Sequence, residues 1–323
     1  MRSNAYTHPL ALLVFMLAAV GEFAQFAPGS PSVPYINLTT PRRVLPDAQT
    51  WEGDQFPHTL SVLQLERGGF RYWGWYGLNN GRGIGLARSN DLLKWTKYEQ
   101  NPLWTNARWP SVMEKADPKR KSTLYFAITR DYDTPSSYIV LASSEDGIHL
   151  REEKVLVQAV PNQRNQNPNL FRDPRSRRLF LTFYRGNDHD HFEIVSKSAT
   201  TLQGLDGAKE KILMTSTETI AAPTLLYVKH AKNAQTKRSG IYYLATEIYP
   251  HRYTANPEGE WQVKVFAADS PDGNFQPVAS NPILRGQRAC LFQHIFANRF
   301  YGFDCHLEDP DHWVLEEVEG PLP

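Results

Sequence analysis

Pro57-His58-Thr59-Leu60-Ser61-Val62-Leu63, then FRYWGWYGL from Phe70 and GIGLARS from Gly83, form a three-part unit that decides the fold because it returns along the chain. Further lead runs are Pro110-Ser111-Val112-Met113, Pro168-Asn169-Leu170-Phe171, Pro223-Thr224-Leu225-Leu226-Tyr227 and Gln293-His294-Ile295-Phe296. Each is followed by an aromatic partner: TLYFAITRD from Thr123, RLFLTFYRG from Arg178, IYYLATEIY from Ile241 and RFYGFDCHL from Arg299. Third runs follow as YIVLASS from Tyr138, FEIVSKS from Phe192, WQVKVFAADS from Trp261 and HWVLEEV from His312. The prolines at 57, 110, 168 and 223 are 53, 58 and 55 positions apart, a spacing suited to one small antiparallel sheet per repeat.

Such a sheet cannot bury both faces alone, and radial packing solves this while leaving only short, protected edges. Fourth strands are legible in KYEQNPLW, EEKVLVQ, EKILMT and QPVASNPIL, whereas the last unit ends at the C-terminus without one. Arg42-Arg43-Val44-Leu45, ahead of the first unit, can supply it. The sequence therefore predicts an all-β protein, a five-bladed β-propeller closed by strands from both termini. An open sandwich of short strands is the alternative.

At 323 residues the chain can be a single large β domain. Its 35 basic residues balance 34 acidic ones, which argues against a polyanion partner such as nucleic acid. Arg2 precedes an apolar stretch from Leu10 to Val20 that is too short to span a bilayer comfortably, and Ala19-Val20-Gly21 offers small residues at a cleavage site, an uncleaved membrane anchor being the alternative. Residues 1–27 are expected to be a signal peptide and 28–323 the propeller, exported to the periplasm or the extracellular space with no membrane contact after cleavage. Polar, turn-rich loops are expected at Lys229–Gly240 and His251–Glu260. Cys290 and Cys305 stand symmetrically about a turn near Ala297–Arg299, so they face one another as a disulfide or as two buried thiols. No His/Cys cluster has zinc-finger spacing, and neither a metal nor a cofactor is expected.

In a propeller the heads of the inner strands and the loops joining second to third strands meet at one end of the channel. The strand heads contribute Glu52, Asp54, His58, Arg108, Trp109, Asn165, Asn167, Glu218, Gln293 and His294. The loops contribute Asn79, Asn80, Arg82, Asp131, Asp133, Asp188, His189, Asp190, Glu247, His251, Glu308 and Asp309. Aromatic faces beside carboxylates and amides suit a sugar. Other polar residues read as structural: Asp173 turns first strand into second, Asp91, Asp146 and Asp272 close turns after third strands, and Trp73 and Trp75 alternate along a strand as packing residues.

GIGLARSNDLLKWTKYEQNPLW and SPDGNFQPVASNPIL, with the S-x-D-x-x-x-W ending, the N-P-L that follows and the inner-strand proline motifs, resemble the five-bladed β-propeller glycoside hydrolases, the group of arabinanases, xylosidases, invertases and levansucrases. The likeness implies hydrolysis of glycosidic bonds, arabinofuranosidic ones among the candidates, of an oligo- or polysaccharide by carboxylates at the axis. Arabinanase-like members carry an Asp just before the first proline, an Asp just after Ala-Pro in unit two and a Glu before Gly-Pro further on. Here Asp54 stands three residues before Pro57, Ser111 follows Pro110, Asn167 precedes Pro168 and Ala222 precedes Pro223, so only the first carboxylate carries over, with a shift. The resemblance implies Asp54 as base or nucleophile. Glu247 is the preferred acid, with Asp190 and Asp133 behind it, since cleavage requires one protonated and one ionised carboxyl group. His58, Arg82, Trp109, Asn167, Asp188, Gln293 and His294 are expected to bind substrate. A glycosyl-transferring or phosphorolytic enzyme and a non-catalytic carbohydrate-binding propeller are the alternatives.

Overall fold

The computed structural model describes residues 33–45, 48–78, 83–117, 120–187, 191–232, 239–250, 259–309 and 312–322. The expected signal peptide and its cleavage site lie outside them. So do Asn79, Asn80, Arg82, Asp188, His189, Asp190 and His251.

Residues 32–323 form one compact unit. Arg42–Arg43 (β1) precedes the first blade, which comprises Pro57–Arg67 (β2), Phe70–Leu78 (β3), Gly83–Ser89 (β4) and an outer edge split into Trp95–Lys97 (β5) and Trp104–Thr105 (β6). The second blade is Ala107–Asp117 (β7), Arg120–Arg130 (β8), Tyr138–Ser144 (β9) and Arg151–Val157 (β10). The third is Arg164–Arg172 (β11), Leu179–Gly186 (β12), Phe192–Ala199 (β13) and Glu210–Ser216 (β14). Thr219–Lys232 (β15), Ser239–Tyr249 (β16), Gln262–Ala268 (β17) and Gln276–Pro277 (β18) make the fourth. Arg288–Phe296 (β19), Arg299–Asp309 (β20) and His312–Pro321 (β21) make the fifth, completed by β1, which pairs antiparallel with β21 at Arg42↔Glu317 and Arg43↔Glu316. Each inner strand touches the next blade's inner strand, and β19 touches β2, closing the ring. The expected five-bladed propeller closed by both termini is the fold observed.

Strand alternation explains the packing, because successive side chains leave a sheet on opposite faces. Tyr242 joins the apolar layer between blades three and four, while Tyr243 joins that between four and five. Leu225 and Leu226 divide in the same way. Trp73 and Trp75 pack toward blade two, and Tyr72 and Tyr76 toward blade five. The tryptophan pair is thus interblade core, as its spacing predicts.

The S-x-D turns and N-P motifs are architectural. Asp91 Oδ1 accepts the Leu93 and Lys94 amides, and Asp146 Oδ1 accepts those of Ile148 and His149. Asn101 and Asn281 each use their side-chain amide as a substitute ladder rung, one bonding both backbone groups of Leu86 and the other both of Val265. The expected continuous strand KYEQNPLW is therefore interrupted. Asp173 closes its turn through Ser176 and the Arg175 amide and accepts the Tyr242 hydroxyl at 2.5 Å.

A chain beginning at Pro46 would lose β1 together with Val44 and Leu45, both buried between blades five and one. Burial of such side chains contributes about 1.5–3 kcal/mol each, and the deletion also bares the β21 edge. The truncated protein should therefore melt several degrees lower, which thermal unfolding of both forms will measure. An unchanged melting temperature would show that ring closure does not need the N-terminal strand.

Candidate functional site

All five inner strands break their pairing near the head. The register skips between Pro57 and Thr59, Arg108 and Ser111, Gln166 and Asn169, Ala221 and Thr224, and Ala289 and Phe292. A bulge of this kind re-aims side chains that regular alternation would send elsewhere. Trp109, Asn167, Ala222 and Cys290 occupy the left-handed region inside four of these bulges, with φ of 58°, 55°, 49° and 55°. As a result His58, the pair Arg108–Trp109, the pair Gln166–Asn167, Ala221 and Ala289 all reach one cavity of about 350 Å³. Tyr132, Glu247, Trp261 and Trp313 complete much of its wall.

Glu247 is buried, and burial raises its carboxyl pKa above the usual range despite opposing contributions from Cys290 and Arg108. The Cys290 thiol donates to its Oε2 at 3.0 Å. His58 stacks edge-on against Trp109 and Trp313, and its Nδ1 lies 3.0 Å from Arg108 Nη2. A guanidinium only donates, so Nδ1 accepts and the imidazole is neutral. Burial and the Arg108 charge both lower its pKa well below the ordinary value. Arg108 also stacks on Tyr132, 4.0 Å from the ring centroid, while Arg164 Nη1 and Gln166 Nε2 donate to the Tyr132 carbonyl at 3.1 and 2.9 Å. Cys290 and Cys305 are free thiols with Sγ atoms 2.9 Å apart. The bulge sets Ala289, not Cys290, opposite Cys305 in the ladder.

The structure thus brings together five of the expected residues: His58, Arg108, Trp109, Asn167 and Glu247. It does not bring Asp54 there. Asp54 is exposed in the turn before β2, where its Oδ1 accepts from Gln55. The buried acid of that turn is Glu52, fully enclosed, bonded to Tyr76 Oη at 2.6 Å, Lys97 Nζ at 2.7 Å and the Gln49 amide at 2.7 Å. Gly85 makes room for this arrangement, since a Cβ there would stand 2.3 Å from the Tyr76 ring. Asp133 is exposed in the β8–β9 loop and does not line the cavity.

Gln293 and His294 are also diverted from ligand binding. Gln293 accepts from Tyr35 Oη at 2.8 Å and donates to the Thr224 carbonyl at 2.9 Å. His294 stacks on Phe296, and burial lowers its pKa to about 4. Arg82, Asp188 and Asp190 fall outside the described residues. Arg164, Gln166, Tyr132, Trp261 and Trp313 were not expected as wall residues. Their only sequence signal was position at strand heads or in the β8–β9 loop, which strict alternation misassigns once a bulge intervenes.

No protein-family model and no curated protein matches the sequence. Solved structures do match. A thermostable family-43 glycoside hydrolase superposes with a TM-score of 0.62 at 16% identity, over 82% of this chain and 89% of that one. The endo-arabinase from Bacteroides thetaiotaomicron VPI-5482 gives 0.58 at 12% identity, over 83% and 96%. An exo-1,5-α-L-arabinanase from a bovine ruminal metagenomic library gives 0.55 at 14%, over 83% and 94%. At such identities the likeness establishes a shared propeller fold.

The Glu52–Lys97 pair should behave as structure. In Glu52→Gln an enclosed ammonium loses its counter-charge, so denaturant unfolding should report a loss of about 3–5 kcal/mol. A loss below about 1 kcal/mol would mean that the pair does not hold the turn ahead of β2.

Proposed function

We propose that this protein is a glycoside hydrolase acting on an oligo- or polysaccharide at the channel cavity, with Glu247 as general acid. The observation that carries the reading is a carboxyl group buried in an aromatic-walled cavity and held toward its protonated form. A carboxylic acid with a raised pKa can protonate a departing glycosidic oxygen near neutral pH. Trp261 and Trp313 offer apolar faces for a sugar ring, and Asn167 and Gln166 offer amides for its hydroxyls. The shared fold with propeller glycoside hydrolases supports the same reading.

Hydrolysis also needs an ionised carboxylate across the bond. Glu247 is the one carboxyl group among the described lining residues. The sequence candidates for the second role are Asp188 and Asp190, which lie outside the described residues in a stretch flanked along the chain by the cavity-lining Tyr184 and Phe192. Asp54, on its exposed turn, is not assigned that role. Export, with a mature N-terminus between Gly21 and Pro28, belongs to the same proposal, and intact-mass analysis of secreted protein tests it.

Glu247→Gln should lower hydrolysis of polysaccharide by about 10²-fold or more, the scale of general acid catalysis, and spare activated aryl glycosides more. The pH profile carries the sign. A carboxyl with a raised pKa supplies its proton at low pH and loses it as pH rises through that value, so activity should fall on an alkaline limb displaced above the usual carboxylate range. That limb should vanish in Glu247→Gln, and Asp54→Asn should keep wild-type turnover. The second reading, a carbohydrate-binding propeller, is favoured by the single described carboxyl. It gains if ligand binds while no glycoside is cleaved, transferred or phosphorolysed.

A further inference from the structure

Glu247 reaches the cavity from blade four, yet the thiol bonded to its carboxyl comes from blade five. Cys305 Sγ donates to Cys290 Sγ at 2.9 Å, and Cys290 Sγ donates to Glu247 Oε2 at 3.0 Å. Both thiols are completely enclosed, and the chain has no other cysteine. The bulge at the head of β19 permits this: Cys290, with φ of 55°, leaves the ladder, and Ala289 pairs with Cys305. A thiol has one proton to give. His58 Nδ1 is also within reach at 3.5 Å, but it already accepts from Arg108, and the carboxyl oxygen is nearer. Burial raises the pKa of both thiols, so they remain protonated donors where a carboxyl ionises. An S–H group is a weak donor, but donors linked in an enclosed chain polarise one another. His58, Arg108 and Tyr132 are the other described titratable groups around the pair.

We infer that Cys290, backed by Cys305, is a positioning residue for Glu247: its thiol holds Oε2 as an acceptor, which leaves Oε1 to carry the acid proton toward the leaving oxygen. The catalytic half rests on the glycoside-cleaving reading above. The link from thiol to carboxyl stands on the geometry alone. A bond accepted by Oε2 is stronger once the carboxyl is ionised, so its removal should move ionisation of Glu247 to higher pH.

The experiment is an infrared pH titration of the reduced full-length protein, with the Glu247 carboxyl band assigned by its absence in Glu247→Gln. In Cys290→Ala the band should ionise at higher pH than in the wild type, and Cys290→Ser, which keeps a donor, should bring it back. In Cys305→Ala the remaining S–H stretch belongs to Cys290. It should soften as Glu247 ionises, a change absent once Glu247→Gln is added. Rates on debranched arabinan and on 4-nitrophenyl α-L-arabinofuranoside are read alongside. There Cys290→Ala should lower kcat about 2- to 10-fold, the range of one hydrogen bond, with KM near wild type, and shift the alkaline limb with the band. Cys290→Ser should recover much of the loss. A carboxyl band and an S–H stretch that ignore each other overturn the inference, even where Glu247→Gln abolishes cleavage and upholds the hydrolase. Coupled signals without cleavage of either substrate support the thiol link and count against the hydrolase. If Cys290→Ala melts early, Cys305→Ala and Cys290→Ser decide the question.

Discussion

Polar side chains just inside the channel tie four successive pairs of inner strands, from β2 through to β19, and the rest of the molecule depends on those ties. Ser61 Oγ accepts the Val112 amide, Ser111 Oγ the Leu170 amide and Asn169 Oδ1 the Leu225 amide, while Thr224 Oγ1 donates to the Leu291 carbonyl. Inner strands of neighbouring blades do not pair with one another, so their facing backbone groups would otherwise be buried without partners, at about 1–3 kcal/mol each. One short polar side chain at each of these four contacts removes that cost.

Those faces supply the bulk of the stability. Five apolar layers fill the five gaps between blades, each drawing alternate residues from two sheets. No blade is complete alone, and the fifth is built from both ends of the chain. Glu317, fully enclosed in β21, receives Arg42 from β1 at 2.8 Å, while Val44 and Leu45 enter the layer between blades five and one. The N-terminal strand therefore contributes charge, edge and core to the closure at once.

The same ring creates the site. A regular inner strand would send alternate residues sideways into the interblade layers. The bulges instead turn consecutive residues such as Arg108–Trp109 and Gln166–Asn167 into the channel, at the cost of left-handed backbone in side-chain-bearing residues. Hydrogen bonds hold the unfavourable geometry, as where the Asn167 amide donates to Thr129 Oγ1. Enclosure then determines the chemistry: it keeps His58 neutral and holds Glu247 toward its acid form.

By itself the sequence determined the architecture, because proline-led runs, period-two alternation and S-x-D turns are local signals repeated often enough to count blades. It also identified the strand that closes the ring and the end of the channel where His58, Trp109, Asn167 and Glu247 meet. Only the tertiary structure decided which polar residues serve the ring and which serve the cavity. Gln293 looks like a site residue in one dimension, yet its amide ties β19 to β15, and Glu52 rather than Asp54 is the enclosed carboxylate beside the first inner strand. Arg164 and Tyr132 carry no motif, but they stand in the wall. The physical reason is parity: a bulge of one residue reverses which side chains face the channel, and nothing in local propensity marks where a strand head will bulge until neighbouring blades press on it.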